Sequence, residues 1–368
     1  MKNIKKSEYR YNLRVNKVLR KDYKMGVLPT GKSIGAYAVM CKEMLGCMLD
    51  YFPKIHYVYV QESDDDTGVW FQEFSSDTEE YTIEEKEEQF MSYSDGWHVV
   101  NINHDKVETF KKRIFEIVND DSLYNETILE KYRDQKRELG NVLFQYGLMH
   151  IFYHEYGHAM DGHVLAKKHG KIAGTNQESR ALEYNADIFA VNQIIKRFLY
   201  DNHSEVYTSA TQMNFTLVLD EIALMMLGCY IFLDGFYDRN DTDYVTTLLK
   251  DETHMPPFLR QFCNFDLFSS ILTKHLDLDE ADMGYMTNVI LHHIDEYEKS
   301  CHNSDVMSAP FWLGIHHPIA KLKQSEAQKC WNSIYDILLE YISPFVEITK
   351  YDVLNVATGK YEKWNETQ

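Results

Sequence analysis

Tyr9, Tyr11, Leu13 and Val15 alternate with Arg10, Asn12 and Arg14, a period-two pattern that predicts a strand. Residues 33–51 carry Ala, Met and Leu at helical spacing and predict a helix. Three runs rich in β-branched and aromatic residues, 55–61, 68–74 and 97–103, predict strands. From about residue 106 the apolar period becomes that of a helix. Helices are expected over 106–118, 122–138, 141–169, 178–201, 209–235, 243–250, 259–275, 279–299 and 325–342. Residues 345–364 read as a short hairpin around Thr358-Gly359. The chain is therefore α+β and predominantly helical, with a small antiparallel sheet in its first third and a helical body behind it. No segment repeats, and no Gly/Ser-rich or Pro-rich linker divides the chain. A single unit over 1–368 is expected: a mixed part at 1–105 with an edge strand, a helical body at 106–345 and a C-terminal tail or hairpin at 346–368.

Charge narrows the partners. The net charge is -19, so a nucleic-acid binder, which needs a basic face, is disfavoured. Residues 1–24 depart from the rest, with nine Lys/Arg against Glu8 and Asp22, and read as a solvated arm. The acidic stretch Asp77 to Glu88 reads as a solvated loop or short helix, the sharper alternative being a rim that selects basic substrate segments. The longest apolar run, Ile222 to Leu233, is 12 residues long with Gly228 inside it. A membrane span needs about 20 residues, so this run predicts a buried core helix. The basic N-terminus leads into no apolar leader segment, and the six Cys form no C-x-x-C pair. A cytoplasmic protein with reduced thiols is expected.

The chemistry lies in His154-Glu155-Tyr156-Gly157-His158, which reads H-E-x-x-H. Residues four apart share a helix face, so both imidazoles can meet one ion. Glu155 is turned about 100° from His154, where it can take a proton from a water without ligating the metal. Zinc is the cofactor this pattern implies. A catalytic zinc wants a third protein ligand, and four candidates stand in the chain. His163 follows His154 by nine residues and points away on a continuous helix, unless Gly162 breaks it. Glu183 starts 25 residues after His158, a gap that fits a turn at Gly170–Gly174 and a returning helix. Asp187, four residues on, shares its face and can accept a hydrogen bond from the outer N–H of a ligand His. Glu178 faces elsewhere, and His316-His317 is the remaining pair. Glu183 is the ligand this spacing favours. His150 shares the face of His154 and reads as a buried structural or orienting histidine.

These residues resemble a family. His154-Glu155-Tyr156-Gly157-His158, then Glu183-Tyr184-Asn185-Ala186-Asp187, then His317-Pro318, are similar in kind and order to the gluzincin metallopeptidases of the HtpX and CAAX-prenyl-protease group. A more distant likeness is to the soluble phage-exclusion Lit-type peptidases. The resemblance covers about residues 142–200 and a patch at 316–323, where Lys323 stands in place of the family's Arg. It implies a zincin-like fold, a zinc endopeptidase acting on a protein or peptide substrate, ligands His154, His158 and Glu183, and Glu155 as general base. It further implies that an edge strand of the first-third sheet pairs with an extended substrate. A tetrahedral oxyanion needs a donor besides zinc, for which His317, His316 and Tyr184 are the candidates.

Two other readings stand beside this one. A protein-binding module on the same scaffold would hold zinc without using Glu155. Gly26-Val27-Leu28-Pro29-Thr30-Gly31-Lys32-Ser33 fits the phosphate-loop pattern and would make the chain a nucleotide binder. Residues 16–25 are too charged for the buried strand that pattern requires, so a turn into a helix is the ordinary reading. The 26 Tyr and 19 Phe have no basic groove beside them and read as core.

Overall fold

The structure is a computed structural model that describes residues 27–28, 57–63, 69–74, 97–124, 128–202, 212–235, 252–276, 278–305, 307–310, 312, 316–342 and 348–364. The strand expected at 9–15, the helices expected at 33–51 and 243–250, the basic arm and the acidic stretch lie outside these residues. Of the phosphate-loop pattern only Val27 and Leu28 are described, and they form a strand. The chain divides into two compact units: residues 1–108, 155–173 and 335–349, and residues 109–154, 174–334 and 350–368.

The first unit holds a four-stranded sheet of β1 (Val27–Leu28), β2 (Tyr57–Ser63), β3 (Val69–Phe74) and β4 (Trp97–Asn103), in the order β1-β2-β4-β3. The sheet is mixed, which corrects the antiparallel sheet expected from sequence. β2 runs parallel to β4, from Tyr57↔Trp97 to Ser63↔Asn103, and only β3 and β4 are antiparallel. The alternation of side chains fixes which face of a strand is buried but not which strand lies beside it. Here β4 enters between β2 and β3, so among the described residues β1 and β3 are the edge strands.

Helices make up most of the second unit, and helical residues at 104–108, 155–160, 163–168 and 335–338 belong to the first. Helix α1 (His104–Asn119) leads into two 3-10 segments, Asp121–Tyr124 and Ile128–Gln135, and then α2 (Lys136–Met160). The single helix expected over 122–138 is thus replaced by tighter turns. Asp120 Oδ1 accepts the Ser122 N–H at 2.9 Å, a local side-chain bond that competes with α-helical pairing. After α2 come α3 (His163–Lys168), α4 (Asn176–Asn202), α5 (Gln212–Asp234), α6 (Pro257–Leu276), α7 (Glu280–His302) and α8 (Pro318–Leu338). A hairpin of β5 (Val353–Asn355) and β6 (Lys360–Glu362) closes the chain, turning at Gly359 with φ +68.

The run predicted as a core helix is one. Every apolar side chain from Ile222 to Leu233 is buried. Burial of each large member stabilises by about 1.5–3 kcal/mol. No helix among the described residues is long and apolar enough to cross a membrane. Helix α5 meets α2 backbone to backbone: a Cβ at Gly228 would stand 2.6 Å from the Leu143 carbonyl oxygen. A Cβ at Gly147 would in turn lie 2.9 Å from the Gly228 oxygen. These glycines let the helix that carries His154 sit directly on the most apolar helix of the unit. Behind α5, Asp234 is bound by Arg113, by the Tyr297 hydroxyl at 2.6 Å and by His302, tying α1, α5 and α7 together.

Candidate metal centre

His154 and His158 lie one turn apart on α2, as the spacing predicts. His154 is buried, while Glu155 and His158 are half-buried. The third group arrives on α4. Thr175 caps that helix: its N–H and hydroxyl each donate to Glu178 Oε2 at 2.9 Å, and the Glu178 N–H donates back to Thr175 Oγ1 at 3.2 Å. This is a capping box, and it gives Glu178 a structural role. Two turns further in, Glu183 Oε2 stands 3.0 Å from His154 Nε2. Ligand atoms of His154, His158 and Glu183 all lie within 4.8 Å of one another, a group that could hold a metal ion.

Asp187 meets the other side of the same imidazole. The His154 Nδ1–H donates to Asp187 Oδ1 at 2.8 Å. Burial opposes charge on His154, but the Asp187 carboxylate outweighs it and the ring is raised to about 10. Burial likewise opposes charge on Asp187, and the Arg260 guanidinium and His154 reverse it, holding the carboxyl well below the usual range. Arg260 was not singled out by sequence. It donates through Nε to Asp187 Oδ2 at 2.8 Å and through Nη2 to Oδ1 at 2.6 Å, a bidentate fork. Asn264, four residues further along α6 and on the same face, donates to His150 Nε2 at 2.8 Å. Burial pushes the His150 ring down to about 3, so it stays neutral. Its place is the buried structural one expected. The pair Arg260 and Asn264 at i, i+4 was the available signal, readable only once Asp187 and His150 were known to need partners.

The other sequence candidates lie in different surroundings. Tyr184 is buried in the core cluster with Met255, Phe258 and Leu259, and its hydroxyl accepts from Gln328 at 3.1 Å. His317 precedes α8, its Nδ1 accepting the Ile319 N–H at 3.3 Å. His316 is exposed with its ring against Trp312. His254 was not anticipated. Its Nε2 lies 3.5 Å from Glu183 Oε2, and its side chain is 58% exposed. The segment that carries it is anchored to α4, where Arg180 Nη1 donates to the Glu252 carbonyl at 2.7 Å.

The predicted helix over 141–169 is interrupted. Gly162 has φ +78, α2 ends at Met160, and α3 begins at His163. The reversal brings the His163 ring to that of His158, Nδ1 to Nδ1 at 2.9 Å.

Residues 82–229 match the family model Peptidase U49. This is a Lit-type metallopeptidase family, and the matched stretch contains the two helices that carry His154, His158 and Glu183. The Peptidase U49 match supports a peptidase. It accords with the more distant of the two likenesses read from sequence; the HtpX and CAAX-prenyl-protease likeness finds no counterpart in it. Neither the curated proteins nor the solved structures give a match.

Proposed function

We propose that this chain is a zinc-dependent endopeptidase of the gluzincin kind, hydrolysing peptide bonds in a protein substrate. The observation that carries the reading is the convergence of His154, His158 and Glu183 on a helix pair inside the peptidase-matching span. Two imidazole nitrogens and one carboxylate oxygen suit a hydrolytic zinc with a position left for water. His154 Nε2 and Glu183 Oε2 stand 3.0 Å apart. Ligands at about 2.0–2.1 Å from a tetrahedral zinc are roughly 3.3 Å from each other, and the three ligand atoms lie within 4.8 Å of one another, so the group would draw together around an ion. Zinc in that position would bring the pKa of a water toward ~7 and polarise the scissile carbonyl.

The chain's own residues do the rest. Glu155, one residue from His154 and turned off its face, takes the water's proton and delivers it to the leaving amine. Asp187, gripped by Arg260, accepts the His154 Nδ1–H, which would leave Nε2 to offer its lone pair to a bound ion. The second oxyanion donor must be near the metal and reach solvent. Proximity to Glu183 and exposure favour His254 over His317, His316 and Tyr184 for that role. Among the described residues β3 is one of the two edge strands of the sheet, to which an extended peptide would add.

The test uses the full-length protein. Metal analysis is expected to find about one zinc per chain, and Glu155→Gln should keep the zinc and lose proteolysis. Substrate held by that variant, recovered by pull-down and read by mass spectrometry, identifies the target. Protein without zinc-binding capacity, all residues intact, sinks the proposal. Zinc binding with a biological effect indifferent to Glu155→Gln would instead point to a non-catalytic binding module.

A further inference from the structure

We infer that His163, which lies outside the metal group, is a positioning residue that fixes the tautomer and ring orientation of His158. The inference rests on the zinc-site reading above and goes beyond its ligand set. His154 has an orienter in Asp187. What meets the His158 Nδ1 is the Nδ1 of His163, at 2.9 Å. The two rings lie edge to face, with centroids 5.1 Å apart and planes at 68°.

Two nitrogens at that distance share one proton, so one donates and the other accepts. A neutral His158 that offers Nε2 to an ion carries its proton on Nδ1. That N–H then donates to His163 Nδ1, which accepts through its lone pair, and the His163 proton sits on Nε2. The pair is thus a relay in which the state of His163 decides the face that His158 presents. Groups that bond the outer nitrogen of a ligand histidine orient its ring and raise its basicity.

The fold is built to deliver His163 to this point. On a continuous helix it would point away from His158, and the reversal at Gly162 brings it back. Gly162 is pressed against the chain, where a Cβ would stand 2.7 Å from the Tyr341 carbonyl carbon and 2.9 Å from the Ile342 nitrogen. His163 itself is buried, so water does not readily replace it as acceptor.

The experiment compares His163→Phe, which keeps ring volume but has no acceptor, with His163→Asn, whose Oδ1 can occupy the place of Nδ1. Zinc affinity of the full-length apo-protein is measured by competition with a chromophoric chelator, and thermal unfolding of the zinc-free forms is recorded alongside. His163→Phe is expected to weaken zinc by about 10–100-fold. His163→Asn should stay within a few-fold of wild type. If Phe prevents folding, His163→Ala carries the same expectation as Phe, since it removes the acceptor without adding volume. Equal affinity in the acceptor-free variant and wild type overturns the inference and leaves the zinc site standing. So does equal weakening by Asn and by the acceptor-free variant, which would mark a packing role. Wild-type protein that fails to bind zinc overturns both readings together.

Discussion

Replacing Gly162 by alanine puts a methyl group where the backbone of residues 341–342 already lies. Two costs follow from the structure. An L-residue held at φ +78 is in the left-handed region, which costs about 1–2 kcal/mol. The new Cβ would meet the Tyr341 carbonyl carbon at 2.7 Å and the Ile342 nitrogen and Tyr341 Cβ at 2.9 Å, closer than real Cβ contacts come. Those atoms are backbone or nearly so and cannot swing aside, so overpacking adds about 1–3 kcal/mol. The sum, about 2–5 kcal/mol, is a large share of a typical folding free energy of about 5–15 kcal/mol. Gly170 supplies the control. It has φ +64 but nothing within 4 Å of an added Cβ, so Gly170→Ala should bear only the conformational part. Urea unfolding of the full chain, with midpoints compared at constant slope, reads both values. The two variants are expected to differ by about 1–3 kcal/mol. Zinc affinity should fall in Gly162→Ala, because His163 is displaced, and hold in Gly170→Ala. Equal unfolding midpoints would refute the tight contact at residues 341–342.

Further outcomes follow from other groups. Arg260→Leu leaves the Asp187 carboxylate buried with its main cation gone, so stability should drop by about 3–5 kcal/mol by denaturant titration. Its double-mutant cycle with Asp187→Asn should show strong coupling, and additive losses would remove Arg260 from the network. Asp161 is buried, one carboxylate oxygen has no hydrogen-bond partner, and burial raises its pKa well above the usual range. A raised folded-state pKa means the folded form holds the proton more tightly, so that contribution is full below the unfolded pKa and is lost as pH rises through the folded value. Asp161→Asn should therefore gain on wild type at neutral pH, with the gain shrinking toward pH 4. A pH-independent difference in unfolding midpoint would contradict the assignment. Gly228→Ala drives a methyl to within 2.6 Å of the Leu143 carbonyl and should cost about 1–3 kcal/mol in the same unfolding assay. An unchanged midpoint would mean that α2 and α5 are not held that close.

The sequence by itself determined whatever repeats along one element. Helical spacing put His154 and His158 on one face of α2 and Glu183 and Asp187 on one face of α4. The apolar run at 222–233 fixed a buried helix, and β-branched runs fixed β2, β3 and β4 close to their observed bounds. Glu178 was separable from Glu183 by a local rule as well, since Thr175-x-x-Glu178 is a capping box.

Only the tertiary structure decided who meets whom. Alternation cannot name a strand's neighbour, so the parallel pairing of β2 with β4 was hidden. Arg260, Asn264 and His254 come from a stretch more than sixty residues beyond Glu183 and carry no motif; they matter because α6 and the segment before it meet α2 and α4. His163 shows the limit most clearly. Helical periodicity directs it away from His158, and the backbone reversal at Gly162 returns it to 2.9 Å. Periodicity is a property of one chain segment in regular conformation, whereas a metal site is an agreement among several segments that long-range contacts alone can enforce.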